Sequence, residues 1–466
     1  MPIDKAKNGG CRAILFFPDK ISPPSFGTSL TSFARKFGLI LKNTNFRIAT
    51  MYLLNTKTLK IELFPGGSPP PYAILSHTWQ KEEILFRDIQ TDEWRSEPRK
   101  QGADKVENAC RQARYHGFRY IWIDSCCIDK DSSAELSDAI NSMFIWYRDS
   151  EICYAYLSDV VSGDLQSFKQ SRWFTRGWTL QELIAPTRVE FFDGKWRGIG
   201  DRVSLLKSVL EITGIDRRVL SREHHPYCEH LGNIFNSQNC NCRGRFENLR
   251  DLLSSFSIAT RMTWARRRTT TRTEDIAYSL LGLFDVNIPL LYGEGTRAFQ
   301  RLQQEIIRTH NDQSVLAHTR RNSGKVVALF AESPDDFYLG AELDLLRPRV
   351  NTSGHLAMTL TNRCLNLNMP LYHCRYRYGS LFRSEGHAWL GILDCVYSDD
   401  YLSRPAILLE RLSSTSNEEN VFTRLCPDFV IRISPEDKPD DDGIITVTIE
   451  DWTGLEGTNP KVTDLD

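Results

Sequence analysis

Polar residues that could bind a ligand stand at the ends of two short apolar segments of this 466-residue chain, at 72–76 and 118–124. Both segments have the length and composition of buried strands, and helical periodicity separates them, which is typical of a parallel α/β sheet. Ligands of such sheets bind at the carboxyl ends of the strands. The residues that the pattern predicts for this site are Ser76, His77, Trp79 and Asp124.

Each of these residues has a ligand-binding and a structural interpretation. His77 could orient a phosphate or a ribose and Trp79 could stack on a base, or the two could form a polar loop over a core tryptophan. Ser76 and His77 are adjacent, so without a third partner they are not interpreted as a nucleophile and its base. Asp124 and Asp129 could bind a ribose or a cation, but turn and capping duties explain them equally well.

A third candidate group lies on a short predicted helix at 178–184. Trp178 and Glu182 are four residues apart, so they share one helix face. Both can therefore point toward the ligand site at the carboxyl ends of the strands. Arg176, with Arg172, could clamp a pyrophosphate or pair with acids. Glu182 has its own alternatives, which are a salt bridge with one of these arginines or a solvated place on the helix.

The surrounding pattern predicts the elements that position these residues. Further strands at 152–157 and 188–192, with helices between the strands, predict a doubly wound parallel sheet. Short β-rich segments at the end of the chain are typical of an antiparallel sandwich or barrel. The predicted domains are an N-terminal extension at 1–50, an α/β domain at 51–200, a helical segment at 201–312 and a smaller β-rich C-terminal domain at 313–466.

The extension at 1–50 has two readings besides poor order. Its segment 29–41 could form a basic amphipathic helix, as organelle transit peptides do. The alternative is a start assigned upstream of the true one at Met51, since disorder gathers at termini.

Composition excludes several classes of protein. The formal net charge is −1, so no global field recruits nucleic acid or an anionic membrane. We find no uncharged apolar segment near the roughly 18 residues that a bilayer span requires. Twelve cysteines in so long a chain are too sparse for a disulfide framework. We therefore expect a protein of the reducing cytoplasm.

Two further clusters could bind other ligands. The insertion at 222–245 collects histidines and cysteines that suit a structural zinc, although their spacing is tighter than usual. No metal site is assigned, and its weak candidates are Cys228, His230, Cys240 and Cys242. The arginines 266–268 and Arg272 could contact nucleic acid, but no aromatic residues alternate with them, which favours a solvated loop.

Three segments resemble the signature blocks of the fungal heterokaryon incompatibility (HET) domain. They read YAILSHTW at 72–79, YIWIDSCCID at 120–129 and RGWTLQE at 176–182. The likeness continues through 270–284 and 290–302 into the region that follows this domain in the family. It implies a role in nonself recognition and programmed cell death, with self-association and a nonself-recognition protein as partners.

HET domains are in turn similar to TIR domains, which are flavodoxin-like. In TIR enzymes the glutamate of a Trp-x-x-x-Glu word cleaves NAD at the bond between nicotinamide and ribose, and the matching residue here is Glu182. The resemblance implies a TIR-like sheet, NAD as a substrate and no required cofactor. The alternative is a noncatalytic death-signalling adaptor whose α/β domain only binds partners.

Overall fold

The computed structural model describes residues 50–319 and parts of the remainder. Within 50–319 the gaps are 66–68, 92–93, 95–99, 101, 162–163 and 223–247. The described later residues are 329–337, 346–348, 358–361, 364–373, 388–397, 400, 402–412, 420–424, 430–433 and 444–450. The predicted extension at 1–50 and the insertion at 222–245 lie outside this part of the chain, apart from residues 50 and 222.

A seven-stranded mixed sheet forms the α/β domain. Its spatial order is β2-β1-β4-β3-β5-β6-β7. The four strands β4, β3, β5 and β6 are parallel, as predicted. In chain order the strands are β1 (Met51–Asn55), β2 (Ile61–Phe64), β3 (Tyr72–His77), β4 (Tyr120–Trp122), β5 (Ile152–Tyr156), β6 (Val189–Phe192) and β7 (Gly198–Asp201).

The prediction of a doubly wound parallel sheet holds only for these central strands, because the sheet is antiparallel at both edges. Strands β1 and β2 pair antiparallel with each other, β1 pairs antiparallel with β4, and β7 pairs antiparallel with β6. Only a few residues join β1 to β2 and β6 to β7. Such short connections allow antiparallel pairing, whereas a parallel pair needs a crossover of a dozen or more residues.

Six α-helices accompany these strands among the described residues. The apolar face of α2 is fully buried, and Gly117, with φ of 85°, follows its end. The hydroxyl of Ser132 accepts from the backbone N–H of Glu135 at 3.3 Å and so caps α4, a contact worth about 1 kcal/mol. The helices are α1 (Phe86–Thr91), α2 (Gly102–Tyr115), α3 (Asp124–Cys127), α4 (Ser133–Asp149), α5 (Leu165–Lys169) and α6 (Thr179–Ile184).

The following segment is helical, as expected. Its last helix buries one apolar stripe, and α12 packs against α4 of the α/β domain. No helix among the described residues is both long and apolar enough to cross a membrane. The helices are α7 (Leu206–Thr213), α8 (Arg217–Ser221), α9 (Leu249–Ser254), α10 (Ile258–Thr263), α11 (Asp275–Tyr278), α12 (Leu281–Phe284) and α13 (Arg297–Thr309).

The C-terminal region contains a barrel-like sheet, as predicted, but the sheet is not wholly antiparallel, because β14 and β16 pair in parallel. Strands β11, β10, β16, β14 and β13 follow one another, and β13 pairs with β11 to close the ring. Buried and part-exposed residues alternate along β10, as in a strand with one face in a core. The strands are β8 (Leu346–Pro348), β9 (Thr359–Leu360), β10 (Cys364–His373), β11 (Ala388–Ile392), β12 (Cys395–Tyr397), β13 (Arg404–Arg411), β14 (Val421–Arg424), β15 (Ile431–Ile433) and β16 (Ile444–Glu450).

Replacement of Gly282 by alanine tests the packing of α12 on α4. A Cβ atom at this position would overlap the side chain of Phe144, so Gly282→Ala should lower the free energy of unfolding by about 1–3 kcal/mol. Gly198→Ala is the control, because nothing lies within 4 Å of its added Cβ. Urea denaturation of both variants measures the effect, and equal stabilities would contradict the packing described.

Candidate active site

The candidate site lies where β3 and β4 end, beside α6. Ser76 and His77 are the last two residues of β3, and Asp124 begins α3 directly after β4. The chain passes from β3 to β4 on one side and then to β5 on the other side. Crevices form at the carboxyl ends of strands where the strand order reverses in this way.

Ser76 joins the end of β3 to Glu182 of α6. The indole N–H of Trp173 donates to Ser76 Oγ at 2.8 Å, and the Ser76 hydroxyl donates to Glu182 Oε2. Ser76 and Trp173 are fully buried, and Glu182 is 5% exposed. The Glu182 carboxyl is therefore surrounded by protein and not by solvent.

The surroundings of Glu182 favour its neutral form. Burial raises the pKa of Glu182 to about 8, and the negative charge of Asp124 acts in the same direction. The hydrogen bond from Ser76 and the positive charges of Arg176 and Arg268 oppose the shift. At neutral pH Glu182 is therefore mainly a carboxylic acid and not a carboxylate.

Buried polar groups fix the start of α6. The Thr179 hydroxyl donates to the carbonyl of Trp173 at 2.5 Å and to the carbonyl of Arg176 at 2.8 Å. The guanidinium of Arg268 donates to the same Arg176 carbonyl at 2.9 Å and to Thr179 Oγ1 at 3.0 Å. Burial lowers the pKa of Arg268 to about 9. Arg268 thus places a positive charge near Glu182.

Two further arginines hold the other end of α6. Arg202 donates to the carbonyls of Leu183 at 2.5 Å and Thr187 at 2.9 Å, and Arg222 donates to the carbonyl of Ile184. Cations at this end of a helix are favourable because the last carbonyls carry partial negative charge. Both ends of the helix that carries Glu182 are therefore fixed.

A second hydrogen-bonded group surrounds Asp124. His77 Nε2 lies 2.8 Å from Asp124 Oδ1, and the indole N–H of Trp79 donates to Asp124 Oδ2 at 2.7 Å. Burial alone would raise the pKa of this carboxyl, but the nearby Lys130 ammonium and the bonds from His77 and Trp79 hold it well below its usual range. Asp124 is therefore ionised beside a neutral Glu182.

The buried Lys105 determines which nitrogen of His77 carries the proton. Its ammonium lies 2.8 Å from His77 Nδ1 and donates to Glu83 Oε1 at 2.5 Å. Burial lowers the pKa of Lys105, while the charge of Glu83 opposes that shift. An ammonium can only donate, so Nδ1 accepts and the His77 proton lies on Nε2, where it donates to Asp124.

Arg176 and Trp178 are directed toward the helical segment. The guanidinium of Arg176 donates to Thr271 Oγ1 at 2.8 Å. A hydrogen bond from Trp178 reaches Asp275, whose pKa burial raises and this bond lowers. Of the predicted site residues, Ser76, His77, Trp79, Asp124 and Glu182 are joined by the two hydrogen-bonded groups, and the other two contact a neighbouring element.

The structural alternatives have mixed outcomes. Glu182 is neither solvated nor bonded to Arg172, which contacts Ser158 and Asp159. The loop at 266–268 is not wholly solvated, because Arg268 donates to buried groups. Asp129 accepts from the backbone N–H of Asp131 at 3.0 Å, which is a turn contact.

Several residues of the site were missed from the sequence. Lys105 lies in the otherwise apolar buried face of α2, and a lysine at such a position could have indicated a site residue. Glu83 and Arg268 carried no such signal, because each lies in a polar stretch whose burial depends on distant residues.

No metal site is found in the described ranges, where no group of three or more His, Cys, Asp or Glu residues could hold an ion. The weak zinc candidates Cys228, His230, Cys240 and Cys242 lie outside those ranges. Cys126 and Cys127 are buried with raised thiol pKa values, so they are small core residues.

Comparison with known proteins shows what this chain is similar to. Residues 72–169 match the family model described as heterokaryon incompatibility protein (HET). The chain is also 44% identical over 254 residues to vegetative incompatibility protein HET-E-1 of Podospora anserina. That match covers 52% of this chain but only 16% of the relative. No solved structure gives a significant match.

The pH dependence of stability tests the buried acid. Native Glu182 keeps its proton up to about pH 8, whereas the unfolded carboxyl, with an ordinary pKa of 4.5, releases it earlier. Between these values the native state binds more protons, so its free energy of unfolding should fall as pH rises. In the wild type this fall should amount to several kcal/mol between about pH 5 and pH 8, and it should be absent in Glu182→Gln. Denaturation curves of both proteins across this pH range measure it. Parallel pH profiles for the two proteins would contradict a buried neutral Glu182.

Proposed function

We propose that this chain is an effector of fungal nonself recognition and programmed cell death, and that its α/β domain cleaves NAD between nicotinamide and ribose. The HET domain and the vegetative incompatibility protein to which the chain is similar support the role. The observation that carries the chemistry is the contact between Ser76 and Glu182 at the carboxyl end of β3.

The strand order adds support for a TIR-like, flavodoxin-like domain. Numbered along the chain, the four parallel strands stand in the order 2-1-3-4. Flavodoxin-like sheets begin with the same order, and their ligand binds at the switch point beside the first strand. Ser76 and His77 end that strand here.

Glu182 would act on the sugar carbon that holds nicotinamide. Breaking the C–N bond releases neutral nicotinamide and leaves an oxocarbenium-like ribose, which an ionised carboxylate stabilises. Water then attacks the same carbon, and the carboxylate accepts the proton that this water loses. The products are nicotinamide and ADP-ribose.

This chemistry requires Glu182 to leave its neutral, buried state. If Glu182 moved away from the residues that bury it, the main cause of its raised pKa would be lost. The charges of Arg176 and Arg268 would then favour the carboxylate. Self-association of the domain is the change that we propose for opening the site. A nonself-recognition protein, as yet unidentified, would trigger it in the cytoplasm, and no cofactor is required.

One observation favours a noncatalytic adaptor as the second candidate. Glu182 is only 5% exposed and is hydrogen-bonded within the protein, as a purely structural acid would be. In that case the α/β domain would signal death only through its binding surfaces.

NAD consumption by the purified chain at high concentration separates the two candidates. We expect turnover by the wild type and a loss of at least about a hundredfold in Glu182→Gln, because one stabilising group at the reacting carbon is removed. Glu211→Gln is the control, since this exposed acid pairs with Lys169 on the surface and should keep full turnover.

The absence of turnover in folded, self-associated wild type would reject the enzyme. Equal turnover in wild type and Glu182→Gln would reject Glu182 as the catalytic residue. In a cell-death assay, killing by Glu182→Gln at the wild-type level would support the adaptor.

A further inference from the structure

An open depression of about 500 Å³ lies beside the candidate active site. It is lined by residues 79–83, Leu85 and Lys100. Its volume is within the range of small-molecule sites, about 300–1,000 Å³. Trp79 belongs both to the depression and to the hydrogen-bonded group of Asp124, so the two features are neighbours.

Trp79 is an exposed aromatic ring whose position is fixed. It is 39% exposed, yet its indole N–H is held by Asp124 and the Lys130 ammonium lies 3.5 Å from its ring centroid. Trp79 lines the depression, whereas Lys130 is not among the residues that line it. A ring ordered before binding loses little conformational freedom when a ligand stacks on it.

Glu83 offers an unused buried acceptor at the same place. The carboxyl is 5% exposed, and its Oε1 accepts from Lys105 Nζ at 2.5 Å and from the backbone N–H of Gln80 at 2.6 Å. Its Oε2 is buried and has no hydrogen-bond partner. Buried acceptors are nearly always satisfied, so Oε2 is available to a donor that the protein itself does not supply.

The loop that carries Glu83 packs closely against the start of α2. The backbone N–H of Gly102 donates to the carbonyl of Glu82 at 2.9 Å. A Cβ atom on Gly102 would meet that carbonyl and the backbone of Glu83, so only glycine allows the approach. The acceptor and the ring are therefore held in place without a ligand.

We propose that this depression binds a planar heteroaromatic ring with an NH₂ group, stacked on Trp79 and donating a hydrogen bond to Glu83 Oε2. Leu85 adds an apolar contact, and the exposed ammonium of Lys81 suits an attached phosphate. NAD carries such a group at both ends, on adenine and on nicotinamide. The inference deepens the proposed function and rests on it for the identity of the ligand.

Calorimetric titration of the full chain with AMP and, separately, with nicotinamide tests this site and distinguishes the two ends. We expect saturable binding of one of them. Trp79→Leu should weaken it at least tenfold. Glu83→Gln should weaken it about tenfold or more, because the amide oxygen must serve Lys105 and its NH₂ group then faces the ligand NH₂. Glu107→Gln, on α2 but lining a different depression, should bind as the wild type does.

Several outcomes would overturn the site. These are no saturable binding of either compound at millimolar concentration, wild-type affinity in Trp79→Leu, or wild-type affinity in Glu83→Gln with its fold verified by thermal unfolding. Because Trp79 is exposed, its variant keeps the test decisive if Glu83→Gln does not fold.

The test is independent of catalysis, because neither AMP nor nicotinamide contains the bond that the proposed reaction breaks. Binding with no NAD turnover would reject only the enzyme. Turnover without such binding would reject only this depression as the ring site.

Discussion

The hydroxyl of Ser76 lies between the indole of Trp173 and the carboxyl of Glu182, and this contact joins the central strand to α6. All three side chains are buried, so each depends on the others for its hydrogen bonds. A site built in this way holds its acid in one position but keeps it neutral. Any chemistry by Glu182 therefore starts with a rearrangement around this contact.

Charge is divided unequally across the end of the sheet. Asp124 is ionised because His77, Trp79 and Lys130 surround it with donors and positive charge, whereas Glu182 is neutral because burial dominates. Two carboxyl groups with pKa values driven apart are a common arrangement at acid–base sites. The same division also arises in structural networks. Here the group of Asp124 borders an open depression through Trp79.

The central part of the fold could be predicted because its signals are local. The residues of β3 are apolar up to Ser76, which marks where the strand ends. The antiparallel edge at β7 could not be predicted in the same way, because strand direction depends on how few residues join β6 to β7. A short apolar segment reads alike in either direction.

The site was predictable only in part for a related reason. Strand ends identified Ser76, His77, Trp79 and Asp124, since position along the chain determines where a strand stops. The partnership of Lys105 with Glu83 and the approach of Arg268 to α6 join residues that are distant in sequence. The raised pKa of Glu182 likewise depends on its burial, which only the tertiary structure determines.

Infrared difference spectroscopy of wild type against Glu182→Gln, recorded as a function of pH, measures the protonation of this acid directly. The structure predicts a carboxylic acid C=O band at neutral pH that disappears as the pH passes about 8. A carboxylate signal at pH 7, with its transition near the ordinary carboxyl pKa of 4.5, would contradict a buried neutral Glu182 bound to Ser76.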